Sequence, residues 1–166
     1  MQYKIMAPKA INSTIALPAS KSISNRALIL NGLSLNASTL ENLSDCDDTQ
    51  VMIEAFRSGS SLIDVKAAGT SMRFLTALLA ITPGEWIITG TERMQERPIN
   101  ILVEALTSLG ARISYIANIG YPPLKIKGTA LDGGDIYLSG DVSSQFISAL
   151  LMIAPTMSKG LTIHLE

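Results

Sequence analysis

One cysteine, one histidine and one tryptophan occur in 166 residues, and aromatic residues make up only 5% of the chain. The lone Cys46 excludes an internal disulfide, which fits a reducing, cytoplasmic setting. Its neighbours Asp45, Asp47 and Asp48 are expected to raise the thiol pKa and leave it inert. With His164 as the one histidine, an ordinary His/Cys zinc site cannot be assembled, and no metal is expected. Charged residues are scarce at 16%, net charge is −1 and no basic run occurs, so nucleic-acid binding has no electrostatic footprint. No apolar stretch reaches the roughly 18–20 residues of a membrane span; the longest, around Leu75 to Ile81, is interrupted by Thr76 and closed by Pro83-Gly84. Met1-Gln2-Tyr3-Lys4 lacks the apolar stretch of a signal peptide. What is abundant is apolar side chain: 47% of residues, with a mean hydropathy of +0.31. A chain of this length can enclose a real core, and one this apolar buries much of its surface or meets a partner.

Comparison of the chain with itself reveals a repeated design. Segments beginning at Ile15, Ile63 and Ile136 each open with apolar residues in alternation, as a strand does. Each then passes through small residues, places Ser22, Thr70 or Ser143 at the same offset from its isoleucine, and enters an apolar helix. A long polar side chain follows in each case: Arg26, Arg73 or Gln145. Unequal spacing between the copies rules out an open solenoid. Between them, Asp47-Asp48-Thr49 can cap a helix from Gln50 to Arg57 that stops at Ser58-Gly59. Pro98 opens a second helix carrying Ile101, Leu102, Ala105, Leu106 and Leu109 at helical spacing, ended by Gly110. Trp86 to Thr89, Arg112 to Tyr115 and Leu124 to Lys127 read as strands. Strands alternating with helices predict an α/β fold with helices packed on sheets.

A helix that starts among small residues exposes N–H groups with no intrahelical partner, and its dipole favours negative charge there. A Ser or Thr hydroxyl and an arginine beside such a start complete a cradle for phosphate or carboxylate. The alternative for Ser22, Thr70 and Ser143 is a plain N-cap, and for Lys21, Arg26 and Arg73 a solvated surface charge. Three such starts, each followed by Arg or Gln in a chain poor in charge, favour anion binding at one shared cleft. Arg93 and Arg97, four residues apart, add two guanidiniums suited to bidentate contacts. An ion pair with Glu92 or Glu96 competes for Arg97, which makes Arg93 the preferred ligand.

Four segments extend this reading: Pro18 through Ser20-Lys21-Ser22 to Arg26, Gly69-Thr70-Ser71-Met72-Arg73, Arg93 to Pro98, and Ser143-Ser144-Gln145-Phe146. In order and spacing they resemble the 5-enolpyruvylshikimate-3-phosphate synthase family of enolpyruvyl transferases. The resemblance implies repeated strand–helix units of the inverse α/β prism type. It implies transfer of the enolpyruvyl group of phosphoenolpyruvate to the 5-hydroxyl of shikimate 3-phosphate, with release of phosphate and no metal or organic cofactor. By the match, Lys21 contacts both substrates and assists proton transfer, while Ser22 and Arg26 hold shikimate 3-phosphate. Gly69, Thr70 and Arg93 face phosphoenolpyruvate, and a side chain at Gly69 would crowd the inhibitor glyphosate. Ser143 and Ser144 bind the 3-phosphate, with Gln145 between the substrates.

Two residues depart from the family pattern. Ala67 stands where the family usually has Asn, removing a polar contact to phosphoenolpyruvate, and Phe74 replaces the Pro that commonly follows the arginine. Family members are more than twice as long and have two domains of three units each. Residues 1–12 are therefore expected to hold a strand, around Tyr3 to Met6, that joins the second domain. Residues 13–166 form the substrate-binding domain, stopped within its third unit and lacking its C-terminal partner domain. The isolated chain is expected to be inactive. A rival is the sister transferase acting on UDP-N-acetylglucosamine, which carries Lys-Asn at the first motif and a loop cysteine; here Lys21-Ser22 and the position of Cys46 differ. A non-catalytic anion-binding remnant is the other alternative.

Overall fold

The alternating strands and helices expected from the sequence form in the computed structural model, which describes residues 2–166. Residues 2–20 contain no helix or strand. Helix α1 (Lys21–Leu33) starts where the Ser20 side chain accepts a bond from the Ile23 N–H at 3.4 Å. Helix α2 (Asp47–Ser58) opens with Asp47 and Asp48 in its first turn and has Arg57 in its last, both favourable to the helix dipole. Gly59, at φ 60°, takes the left-handed turn that stops it.

Strand β1 (Leu62–Asp64), helix α3 (Gly69–Ile81) and strand β2 (Gly84–Thr89) make a right-sized βαβ crossover, with β1 and β2 parallel. A short helix α4 (Glu92–Gln95) and helix α5 (Asn100–Ser108) follow, then antiparallel β3 (Arg112–Tyr115) and β4 (Leu124–Gly128). These strands form one sheet in the order β1-β2-β4-β3. The design then repeats: β5 (Gly134–Leu138), helix α6 (Ser144–Ile153), and β6 (Leu161–Leu165) parallel to β5 in a separate two-stranded sheet.

Helix α3 is the axis of the core. Every residue in it is buried except Arg73 and Ile81, since helices α1, α2, α5 and α6 and strands β2 and β4 all pack against it. An all-round apolar helix is stable only when enclosed in this way. Its buried Thr76 hydroxyl is satisfied by the Met72 carbonyl at 2.7 Å.

Three expectations need correction. Residues 15–17 do not form a strand: Ile15 and Leu17 are 76% and 85% exposed, and among the described residues none pairs with them. Alternating apolar residues make a strand only where a neighbouring strand takes up their backbone bonds. Secondly, the shared offset of Ser22, Thr70 and Ser143 is not a shared capping position. Ser20 caps α1 and Ser143 caps α6, whereas Ser22 and Thr70 lie one residue inside their helices. The connections differ in length, being residues 65–68 before α3 and 139–143 before α6, and this shifts the helix start relative to the strand. Thirdly, α5 begins at Asn100 and not at Pro98: Ile99, with non-helical φ −133°, is its N-cap, and its N–H donates to the Gly120 carbonyl at 2.9 Å. Among the described residues no helix is long and apolar enough to cross a membrane.

Candidate functional site

The first turns of α1, α2, α3 and α6 are tied to one another by side chains. Lys21, the first residue of α1, places Nζ 3.1 Å from Asp48 Oδ2 in the first turn of α2. The Asp48 carbonyl in turn accepts the Ser71 hydroxyl, from the first turn of α3, at 2.7 Å. Arg73, one turn into α3, donates from Nη1 to Gln145 Oε1 in the first turn of α6 at 3.0 Å. Arg26 of α1 donates from Nη2 to Ser148 Oγ of α6 at 3.0 Å. Four helix N-termini therefore lie at one end of the helical layer, each contributing unpaired N–H groups and partial positive charge.

Two guanidiniums meet at Gly69, the first residue of α3. A Cβ built on Gly69 would stand 2.8 Å from Arg97 Nη1 and 3.2 Å from Arg73 Nη1, and chain neighbours aside no other side chain lies within 4 Å. Arg73 also donates to the Gly69 carbonyl at 3.0 Å, and its Nε is buried with no partner. Burial, with repulsion from Arg97, lowers the Arg73 guanidinium below its usual pKa. Like charges held this close, one of them half-buried with a spare N–H, are stabilised by an oxyanion that bridges them.

Of the residues singled out in the sequence, Lys21, Arg26, Gly69, Arg73 and Gln145 are joined in this network. The hydroxyls of Ser22, Thr70 and Ser144 make no hydrogen bond within the described residues and remain available as donors. Ser143 Oγ accepts the Gln145 N–H at 3.3 Å, so part of its capacity is spent as a cap. Arg93 stands apart. It is exposed on α4 and no atom of it comes within 4 Å of the Gly69 Cβ position. Arg97 takes that place, and among the described residues it forms no ion pair with Glu92 or Glu96. Of the two, it is Arg97, just past the end of α4, whose guanidinium stands at Gly69.

Asp48, Ser71 and Ser148 join the network without any local sequence signal for a site role. The side-chain contacts of all three cross between helices at sequence separations no local pattern encodes. The expected rise in the Cys46 pKa needs correction as well. Burial pushes its thiol up, and Asp48 adds slightly, but hydrogen bonds from Ser44 and Thr49 outweigh both and leave the pKa below its usual value.

Comparison with known proteins gives this geometry a family. The family model described as EPSP synthase (3-phosphoshikimate 1-carboxyvinyltransferase) matches residues 5–60 and 58–166. The 3-phosphoshikimate 1-carboxyvinyltransferase of Bacteroides fragilis (strain YCH46) is 61% identical over 165 residues, covering 99% of this chain and 40% of the relative. That of Shewanella pealeana is 39% identical over 191 residues, covering 99% of this chain and 45% of the relative. A solved structure of EPSP synthase from Acinetobacter baumannii superposes with a TM-score of 0.77 at 22% identity, over 86% of this chain and 38% of that one, and supports the fold. The chain thus spans about two fifths of the length of these relatives. With the family model matched along nearly the whole chain, this protein belongs to the EPSP synthase family.

Proposed function

We propose that this chain carries the first-domain half of an enolpyruvyl transferase site. The reaction moves the enolpyruvyl group of phosphoenolpyruvate to the 5-hydroxyl of shikimate 3-phosphate and releases phosphate. The observation that supports it is the convergence of four helix starts with Lys21, Arg26, Arg73 and Arg97. Two polyanionic substrates need such a field, and attack on the enolpyruvyl carbon builds charge that fixed N–H and ammonium donors stabilise.

In this reading, Ser22, Arg26, Ser143 and Ser144 receive shikimate 3-phosphate, and Gln145 lies between the two substrates. Phosphoenolpyruvate lies against Gly69 and Thr70. Arg97 serves there in place of Arg93, because its guanidinium already stands at Gly69. Lys21 faces both ligands and assists proton transfer, with Asp48 holding its ammonium at the cleft. Residues 1–12 belong to a second domain and residues 13–166 to the first. The remaining carboxylate and cationic groups come from that second domain, and the protein works in the cytoplasm without metal or cofactor.

Calorimetric titration of the chain with shikimate 3-phosphate and, separately, phosphoenolpyruvate tests the assignment. Saturable binding of shikimate 3-phosphate, stronger than that of phosphoenolpyruvate at matched salt, is the expected result. Equal affinities or the reverse order would mean that the residues have been given to the wrong substrate.

A further inference from the structure

Arg26 is held from three helices. Its Nη1 donates to the Ser22 carbonyl one turn back on α1, and its Nη2 to Ser148 Oγ on α6, each at 3.0 Å. Its Cζ lies over the ring of Phe74 on α3, 5.3 Å from the centroid. Phe74 is wholly buried, so the ring forms a fixed wall and not a mobile flap. Arg73 is held in the same manner, bonded to Gln145 and lying 5.1 Å over the ring of Phe146. Ser148 lies three residues beyond Gln145, on the same side of α6, so one helix face grips both arginines.

We propose that Phe74 and Ser148 are positioning residues that hold Arg26 in its binding geometry before the anionic substrate arrives. This rests on the reading of Arg26 as a ligand for shikimate 3-phosphate. A guanidinium has five N–H donors. Two are spent internally here, which leaves the rest of the fork for carboxylate or phosphate oxygens. A free arginine loses much rotamer freedom when a ligand immobilises it, and a pre-ordered one has lost it already on folding. Removing either the ring or the hydroxyl returns that cost to the binding step, weakening affinity by about threefold to tenfold. A mere packing role for Ser148 would not distinguish one hydroxyl-bearing side chain from none.

The test uses the full chain labelled with 15N-arginine, together with Ser148→Ala, Ser148→Thr, Phe74→Leu and, for assignment, Arg26→Lys. The Arg26 Nε–H resonance of the parent is expected to be displaced upfield by the Phe74 ring. It moves toward the free-arginine position in Phe74→Leu and broadens in Ser148→Ala. Ser148→Thr keeps the parent spectrum. In calorimetry with shikimate 3-phosphate, Ser148→Ala binds threefold to tenfold more weakly, within the range expected for freeing one long side chain, and Ser148→Thr restores the affinity. An undisplaced Arg26 signal in the parent, or Ser148→Thr behaving as Ser148→Ala does, overturns the proposal. If Phe74→Leu fails to fold, the Ser148 pair decides alone. If the parent does not bind shikimate 3-phosphate, the functional reading falls, whereas the resonances still decide whether Phe74 and Ser148 position Arg26.

Discussion

Arg97 Nη1 stands 2.8 Å from the point that a methyl group on Gly69 would occupy, and Arg73 Nη1 stands 3.2 Å from it. Both atoms are the ends of flexible side chains, so a methyl there displaces guanidiniums and leaves the backbone in place. At the first position of a helix, alanine also costs less conformational entropy than glycine. Gly69→Ala is therefore expected to change stability by less than about 1 kcal/mol while weakening phosphoenolpyruvate binding several-fold. Chemical denaturation and calorimetry on the same variant check it. A large loss of stability, or undiminished phosphoenolpyruvate binding, would refute this account of Gly69.

Gly128 presents the opposite case. A Cβ on it would collide with the Thr82 carbonyl oxygen, a backbone atom at the end of α3, and no side chain can swing aside. Gly128 ends the inner strand β4 opposite Gly84, so the end of the strand and the end of the helix are pressed together there. Gly128→Ala is expected to cost about 3 kcal/mol or more, in the range of severe overpacking. A urea midpoint close to that of the parent would show that the helix end yields.

Ser143→Ala combined with Ser144→Ala is expected to weaken the shikimate 3-phosphate signal. Loss of the α6 cap adds a stability cost of about 1 kcal/mol. Arg97→Ala should leave that signal nearly intact and reduce phosphoenolpyruvate binding, because Arg97 stands at Gly69. Calorimetry at matched salt separates the two. Arg93→Ala serves as the comparison, and an effect on phosphoenolpyruvate larger than that of Arg97→Ala would restore Arg93 to the role.

Cys46 precedes α2 at its N-cap and lies 3.4 Å from the Thr49 hydroxyl. A thiol whose charged form is favoured in the fold loses its proton at lower pH than an unstructured cysteine. Its alkylation by iodoacetamide should therefore rise at a lower pH than that of a cysteine in the urea-unfolded chain. Ser44→Ala should move the midpoint upward by removing one of the hydrogen bonds that favour the thiolate. A folded midpoint at or above the unfolded one would contradict the geometry.

Local order was largely legible from the residues alone. Trp86 to Thr89, Arg112 to Tyr115 and Leu124 to Lys127 announce strands through alternation, and each forms within one or two residues of its expected bounds. Gly59 and Gly110, at φ 60° and 100°, end α2 and α5 because a left-handed turn suits glycine. The starts of α1, α3 and α6 were legible in the same way, each within two residues of Ser22, Thr70 or Ser143. Such features depend on a few neighbouring residues, and their cause is contained in the stretch that shows them.

Only the tertiary structure decided the rest. Ile15 and Leu17 alternate as well as any strand residues, yet backbone bonds must be made with a partner strand, and none among the described residues supplies them. Arg93 and Arg97 are near-equivalent in sequence. The turn after α4 places the Arg97 guanidinium at Gly69 and not that of Arg93, a choice set by the path of the chain around α3. Phe74 looks like a packing change until Arg26, 48 positions earlier, is seen above its ring. The residue types at these positions make an anion site possible, but the angles and distances between helices determine which of their side chains compose it, because those contacts join segments far apart along the chain.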